Sequence, residues 1–238
     1  MKNPAEVARG YLTLGKTKTE QTAARLLLLG MLAGAFIALA GAAATFGNVY
    51  VGKVAGAAIF PAGLTMVVLA GSELFTGNCL LIIPLLEREI RLRVLLRSWV
   101  LVYLGNFIGS VLVAGLCSAA GTLDGVREAV IATAEMKASL PFGAALLRGV
   151  LCNFLVCIAV WMSQAGESAA EKFIGLYGPI FVFVLCGFEH SIANMFYLPA
   201  GIFLGANVGW GGFLLSNLLP VTLGNIVGGC LVGIVYRT

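Results

Sequence analysis

Charged side chains are scarce in this chain. Of its 238 residues, 11% are charged and 60% are hydrophobic, and the mean hydropathy is +0.98, whereas a soluble domain carries about 25% charged residues. The composition therefore favours a membrane protein over a soluble domain. Nucleic-acid binding has no support, because no basic face also carries stacking aromatic residues.

Metal-binding and redox motifs are also lacking. The six cysteines form no Cys-x-x-Cys pair, and the single histidine, His190, cannot complete a zinc site. A membrane enzyme or redox subunit would need paired haem-ligating histidines, a cysteine cluster or a carboxylate dyad with a soluble face. We therefore predict that the chain is not an enzyme and has no catalytic residue, cofactor or metal.

Long apolar runs dominate what is present. A membrane-spanning helix needs about 20 apolar residues, and such runs occupy 26–52, 55–86, 98–121, 141–163, 173–204 and 211–236. The second and fifth runs are too long for one plain span. The sequence predicts an all-α membrane protein with six transmembrane helices, of which the second and fifth are broken, in one transmembrane domain over residues 1–238.

The placement of Lys and Arg predicts the orientation. Residues 1–25 hold five of these cations and residues 87–97 hold four. Cytoplasmic segments of membrane proteins carry an excess of Lys and Arg, so both termini are expected in the cytoplasm, with the protein in the inner membrane. Residues 1–25 are predicted to be a cytoplasmic or interfacial segment, and 87–97 a short amphipathic helix on the inner surface.

Internal similarity predicts a duplication. Residues 71–78 and 187–194 both read G-x-E-x-x-x-x-N, and Leu-Gly-Asn-x-x-Gly occurs at 104–109 and again at 223–228. These matches are 116 and 119 residues apart. An odd number of spans per copy gives two inverted three-helix repeats, over 26–121 and 122–238, with a functional site between broken helices at the midplane.

Two carboxylates lie inside the over-long runs, at Glu73 and Glu189. Non-helical backbone at membrane depth must be satisfied within the protein, so these glutamates are expected to cap freed backbone N–H groups, as are Asn78 and Asn194. The two Leu-Gly-Asn asparagines are expected to form inter-helix hydrogen bonds. Half-helix N-termini favour an anion.

Two basic residues are candidates for contact with that anion. His190, beside the second break, can donate a hydrogen bond to an anion or pass it a proton near physiological pH. Lys137, which precedes the fourth run, fits two interpretations. It is either an ordinary loop lysine at the outer surface or a positive charge that draws anions to a pore mouth.

The strings 71–77, 187–196 and 223–229 resemble the formate/nitrite transporter family, and the similarity runs from about residue 20 to the end. The resemblance implies an aquaporin-like six-helix protomer and a homopentamer with one pore per subunit. It implies small monovalent anions as substrates: formate, nitrite or hydrosulfide.

The resemblance also assigns residues to the pore. It implies His190 as the central histidine, Thr76 and Leu74 as the loop facing it, and Lys137 as the family's electropositive lysine. It assigns Phe183 and Leu74 to an apolar constriction. It implies Phe60 as a second gate near the cytoplasmic end, with Leu64 close by. It places Asn153, Val156 and Asn225 beside the pore.

The predicted function is a passive or proton-linked membrane channel for small monovalent anions, formate or nitrite first. A hydrosulfide channel of the same family and a neutral-solute channel for water or ammonia are the alternatives. The residues do not separate an anion channel from a proton-coupled carrier.

Overall fold

The computed structural model describes residues 1–237, and its regular structure is helical. The α-helices are α1 (Pro4–Thr19), α2 (Ala23–Tyr50), α3 (Lys53–Ile59), α4 (Pro61–Ala70), α5 (Phe75–Asn78), α6 (Ile82–Leu86), α7 (Leu92–Ala119), α8 (Arg127–Ala138), α9 (Phe142–Ala165), α10 (Ala169–Leu185), α11 (Ser191–Leu204) and α12 (Leu219–Val235). Cys79–Leu81 and Asp124–Val126 are 3-10 turns, and Gly212–Leu218 is a π-helix that leads into α12.

Several of these helices suit a bilayer. Five helical stretches in the described chain are long and apolar enough to cross a membrane: Ala23–Tyr50, Lys53–Ala70, Leu92–Ala119, Phe142–Ala165 and Gly212–Val235. The apolar side chains on their outer faces are exposed in the isolated chain, as at Leu112 and Leu147. Water is a poor solvent for such a surface, and lipid or another subunit would cover it.

Small residues set the packing of two helix pairs, α2 with α7 and α9 with α12. A Cβ on Gly105 of α7 would lie 2.5 Å from the Leu27 carbonyl oxygen of α2. Gly224 of α12 meets the Leu146 carbonyl of α9 in the same way. Close backbone approach at small residues is how membrane helices gain van der Waals contact, since lipid gives them no hydrophobic drive to associate.

The two over-long apolar runs are each interrupted. Helix α4 ends before Gly71, at φ +71°, and α5 begins at Phe75; α10 ends before Gly187, at φ +70°, and α11 begins at Ser191. Glycine reaches this left-handed region without the steric cost of a Cβ. Residues 71–74 and 186–190 therefore leave the helical path within apolar surroundings.

One local prediction is wrong. Residues 87–91 form turns, with Arg88 at φ 60°, and 92–97 are the start of the long helix α7 rather than part of a separate surface helix. The charge pattern at 87–97 was compatible with a helix face, but Glu89 and Ile90 bond back to the Pro84 carbonyl and close a turn. For Lys137, which had two open interpretations, the structure excludes a loop lysine, because the residue lies in the last turn of α8.

The first and last helices meet on one side of the bundle. Tyr11 of α1 stacks on Trp161 of α9 with ring centroids 5.5 Å apart, and Trp161 contacts Tyr236 at 4.8 Å. The Lys2 backbone N–H donates to the Ala165 carbonyl at 2.8 Å. Helix α1 is thus held against the ends of α9 and α12.

Candidate functional site

Asn106 and Asn225 bridge the two helix breaks in the same way. The Oδ1 atom of Asn106 accepts the Phe75 N–H at 2.9 Å, and its Nδ2 donates to the carbonyls of Gly30 and Glu73 at 2.8 and 2.9 Å. Asn225 accepts the Ser191 N–H at 2.9 Å. Its Nδ2 donates to the carbonyls of Gly149 and Glu189, at 2.8 and 3.0 Å.

The expectation that the glutamates cap the breaks is wrong. Glu73 Oε2 accepts from Lys18 Nζ at 2.6 Å and from Asn78 Nδ2 at 2.8 Å. Among residues 1–237, neither Glu73 nor Glu189 accepts a hydrogen bond from backbone. A buried carboxylate needs a countercharge, whereas an amide, which both donates and accepts, can satisfy a broken helix without one.

The second glutamate has a matching partner set. Lys137 Nζ contacts Glu189 Oε1 at 2.9 Å and Oε2 at 3.0 Å, and Asn194 Nδ2 donates to Oε2 at 2.7 Å. Asn78 and Asn194 therefore bind carboxylate oxygens, and their expected capping of backbone is also wrong. Each break carries one ion pair and one amide donor.

Sequence reasoning missed Lys18 as a partner of the first glutamate. The signal was present, because Lys18 precedes Lys137 by 119 residues, which is one of the repeat offsets. The side chain of Lys18 is 22% exposed and that of Lys137 is 11% exposed. Residues 1–25 thus supply part of the site and are more than an interfacial segment.

The two short helices that follow the breaks meet at His190 and Thr76. His190 precedes α11, and its Nδ1 accepts the Ala193 N–H at 3.1 Å. In the neutral ring the hydrogen is therefore on Nε2, which lies 2.9 Å from Thr76 Oγ1 of α5. Because that oxygen accepts the imidazole N–H, the threonine's own hydrogen can be donated elsewhere.

A second group of side chains holds Thr76 from behind. Its carbonyl accepts from Asn153 Nδ2 at 3.2 Å and from Cys157 Sγ at 3.3 Å. Asn153 also donates to the Asn225 carbonyl at 2.6 Å. These side chains and Val156 are buried. They support the wall behind the Thr76–His190 contact, and Cys157 is a supporting residue that the sequence did not indicate.

Two cavities lie near this contact: Gly77, the neighbour of Thr76, is in the wall of one, and His190 is in the wall of the other. The Lys18 cavity, of about 270 Å³, is bounded by α1 and includes Lys18, Leu64, Glu73 and Leu74 in its wall. The Lys137 cavity, of about 320 Å³, has Lys137, Arg148, Phe183, Glu189 and His190 in its wall, together with Lys53 and Phe60.

Apolar side chains separate the two cavities. Phe60 and Phe183 meet edge to face with centroids 5.7 Å apart, and Phe183 lies 5.8 Å from the His190 ring. Leu64 and Leu74 form the corresponding wall of the Lys18 cavity. Phe183 and Leu74 therefore face different cavities across one barrier.

The predicted places of Phe60 and of the N-terminus, both at the cytoplasmic side, cannot hold together. Phe60 shares the Lys137 cavity with Lys53, on the side of the barrier away from α1. It cannot lie at the cytoplasmic end if α1 is cytoplasmic, because Lys53 begins the helix that follows the first long span. Leu64, one turn further along the same run, faces the α1 side instead.

Comparison with known proteins assigns the chain to a family. The family model described as "Formate/nitrite transporter" matches residues 5–238. The chain belongs to the formate/nitrite transporter family. The members of this family are membrane transporters, so the assignment favours a transporter over an enzyme. Because relatives are described as formate channels, it also favours an anion channel over a water or ammonia channel.

Individual members of the formate/nitrite transporter family are similar over nearly their whole length. A protein named "Probable formate transporter" from Methanothermobacter thermautotrophicus is 40% identical, with 97% of this chain and 93% of the relative covered. A solved structure of an "FNT family ion channel" has a TM-score of 0.86 at 30% identity, covering 98% of this chain and 96% of the other. A "Pentameric formate channel with formate bound" has a TM-score of 0.78 at 34% identity, covering 90% and 96%.

Proposed function

We propose that this protein is a homopentameric channel of the inner membrane that conducts formate through each subunit. The contact between Thr76 and His190, placed between two cavities that each contain a Lys–Glu pair, carries the proposal. The solved relative described as a pentameric formate channel with formate bound supports both the assembly and the substrate. Nitrite and hydrosulfide are further monovalent anions of similar size that the same site would accept.

The proposed topology is six spans in two inverted repeats, with both termini in the cytoplasm. Equivalent contacts support the repeat: Lys18–Glu73 corresponds to Lys137–Glu189, and the three hydrogen bonds of Asn106 correspond to those of Asn225. On this alignment α1 corresponds to α8, so the first repeat starts at α1 rather than at residue 26. The excess of Lys and Arg in 1–25 and 87–97 supports the orientation.

Each lysine prepares its cavity for an anion without leaving a buried charge unpaired. The ion pairs are neutral overall, but Lys18 and Lys137 place their ammonium groups toward the cavities while the glutamates lie deeper. Arg148 adds a further cation to the wall of the Lys137 cavity. Such a field concentrates anions at the narrowing by electrostatic focusing.

At the narrowing, hydrogen bonds replace water. Phe60, Phe183, Leu64 and Leu74 offer an anion nothing polar, and a bare charge pays several kcal/mol or more in such surroundings. The Thr76 hydroxyl is free to donate because its oxygen already accepts from His190. An anion in transit would take this hydrogen, while His190 polarises the hydroxyl from behind.

The imidazole acts as a neutral donor in this mechanism. Protonation at Nδ1 would place an N–H against the Ala193 N–H, which Nδ1 now accepts. Two donors facing each other repel, so the surroundings favour the neutral ring. This supports passive conduction of the anion over transfer of a proton from His190.

Replacing Thr76 by Val tests the proposal, because the two side chains have the same shape and only the hydroxyl is lost. We expect formate flux into proteoliposomes to fall by about tenfold, the effect of losing one hydrogen bond to a charged group. Thr76→Ser should keep most of the flux. Flux is measured by stopped-flow with a pH dye and with labelled formate.

Thr65→Val is the matched control, since Thr65 lies on α4 and bonds only to the Pro61 carbonyl of its own helix. It should conduct as the unmodified protein does. Equal flux through the Thr76→Val and unmodified channels would refute the role of the hydroxyl. An unmodified protein that passes water or ammonia but no formate or nitrite would refute the proposed function itself.

A further inference from the structure

The sixth apolar run contains a π-helical segment that the proposed mechanism does not use. Across Gly212–Leu218 the helix is wider than an α-helix, and the Leu219 N–H bonds to the Leu214 carbonyl five residues back. π-Turns insert one extra residue into a helix and are common at functional sites. The buried side chains of this segment are Phe213, Asn217 and Leu218, and Asn217 is the polar one among them.

Asn217 connects the two partners that hold Glu189. The Oδ1 atom of Asn217 accepts from Asn194 Nδ2 at 2.7 Å. Asn194 Nδ2 also donates to Glu189 Oε2 at 2.7 Å. The Nδ2 atom of Asn217 donates to the backbone carbonyl of Lys137 at 2.9 Å. The Asn217 amide therefore holds the end of α8, from which the Lys137 side chain extends. It also holds the Asn194 amide, which orients the Glu189 carboxylate.

The other half of the molecule is connected differently, because Asn78 itself joins the pair: its Oδ1 accepts from Lys18 Nζ at 3.1 Å and its Nδ2 donates to Glu73. The residue 119 positions before Asn217 is Ser98, which lies in the continuous α-helix α7. The Ser98 hydroxyl is buried and has no hydrogen-bond partner within residues 1–237. Glu73 instead receives a long contact of 3.4 Å from Gln21, and its lysine is the more exposed of the two.

We propose that Asn217 is a positioning residue that holds the Lys137–Glu189 pair in its buried geometry and thereby sets how readily anions enter the pore from the Lys137 cavity. The π-helical segment serves to bring this amide to the end of α8. The consequence for transport rests on the proposed function, but the consequence for Lys137 does not. The two halves then differ: Asn194, the amide that binds Glu189, is itself held by Asn217, whereas Asn78, the amide that binds Glu73, contacts the lysine directly.

Acylation of lysines by a membrane-impermeant sulfonated succinimidyl ester tests the positioning directly. The purified, assembled protein is labelled briefly, and peptide mass spectrometry gives the rate at each lysine. In Asn217→Leu, we expect acylation of Lys137 to rise by about fivefold, the effect of losing one net hydrogen bond. Lys18 should react at its original rate. An unchanged rate at Lys137, or an equal rise at both lysines, would overturn the proposal.

Transport gives the second readout. With the protein in one orientation in liposomes, the formate concentration for half-maximal flux should rise about fivefold when formate is added on the Lys137 side. It should not change for formate added on the Lys18 side, and maximal flux should stay within about twofold. A defect of the same size from both sides would indicate general structural damage and refute the sided role.

Ser98→Ala is the matched control, because it alters the corresponding buried position where the side chain has no partner. It should change neither acylation nor transport. Should Asn217→Leu fail to assemble, Asn217→Ser gives the side chain found at the corresponding site and should show the same rise at Lys137. If the unmodified protein conducts no anion, the proposed function fails, and the acylation rates still decide the role of Asn217.

Discussion

At the scale of single residues, both buried carboxylates within residues 1–237 are paired with a lysine. Glu189 is almost fully buried, and its Oε1 and Oε2 atoms lie 2.9 and 3.0 Å from Lys137 Nζ. Removing one member of a buried pair leaves an uncompensated charge, which costs about 3–5 kcal/mol, whereas removing both together costs much less. The pairing therefore determines which substitutions the fold can accept.

Lys137→Met should lower the stability of the assembled protein by about 3–5 kcal/mol. Combining it with Glu189→Gln should recover most of that loss, because no charge is then left without a partner. Thermal unfolding in detergent, followed by loss of the oligomer, gives the comparison. Lys53→Met, at an exposed position of the same cavity, should change stability by no more than about 0.5 kcal/mol. A double variant as unstable as the single one would contradict this account.

At the scale of elements, the helix breaks depend on asparagines from other helices. Asn225, on α12, accepts the N–H of Ser191 at the start of α11. It donates to the carbonyl of Gly149 on α9 and to that of Glu189 in the segment between α10 and α11. Asn106, on α7, does the same for the first break. Irregular backbone at membrane depth is stable only with such partners, so each break is a property of three elements.

Asn225→Ala should therefore cost about 3 kcal/mol or more, because three buried backbone groups lose their partner at about 1–3 kcal/mol each. Amide hydrogen exchange at residues 189–193 should become faster than in the unmodified protein. Asn207→Ala is the control, because Asn207 is exposed and its backbone N–H, not its side chain, donates to Glu135 Oε1. This change should affect neither stability nor amide exchange at 189–193. Protected amides at 189–193 in Asn225→Ala would show that another group caps the break.

The sequence predicted where the helices break but not what satisfies them. A glycine and a glutamate inside an apolar run were sufficient to place both interruptions, because neither residue suits the middle of a span. The lysine partners of the two glutamates were harder to predict, since Lys18 and Lys137 precede them by 55 and 52 residues, and the 119-residue offset between the two lysines was the one signal for Lys18. The π-helix at Gly212–Leu218 could not be predicted from the sequence either, because its mostly apolar residues are equally compatible with an α-helix.

At the scale of the whole molecule, two cavities with separate Lys–Glu pairs lie on either side of one apolar barrier. Helix α1 and the end of α12 lie together beside the Lys18 cavity. The six passes of the proposed topology would place both ends of the chain on one face of the membrane. The exposed apolar faces of the single chain agree with the proposed pentamer, since other subunits and lipid would cover them.

Two measurements check this arrangement. Native mass spectrometry should give a complex of about five times the chain mass of 24.8 kDa. In cells, an impermeant thiol reagent should label Lys53→Cys from outside, whereas Lys2→Cys should require a permeabilised membrane. These changes are made in a background in which Cys186, the exposed cysteine, is replaced by Ser. External labelling of Lys2→Cys would reverse the proposed orientation, and a mass other than five chains would refute the pentamer.

The hydroxyls of Tyr103 and Thr222 lie 2.7 Å apart, and these residues are 119 positions apart in the chain. In the proposed repeat each is therefore the counterpart of the other, so the contact lies on the local twofold axis that relates the halves. Two identical half-chains would place the same side chain there twice and could not pair a tyrosine with a threonine. Divergence at this contact therefore gives each half a side chain that the other lacks, and a gene carrying either half twice would not reproduce the contact.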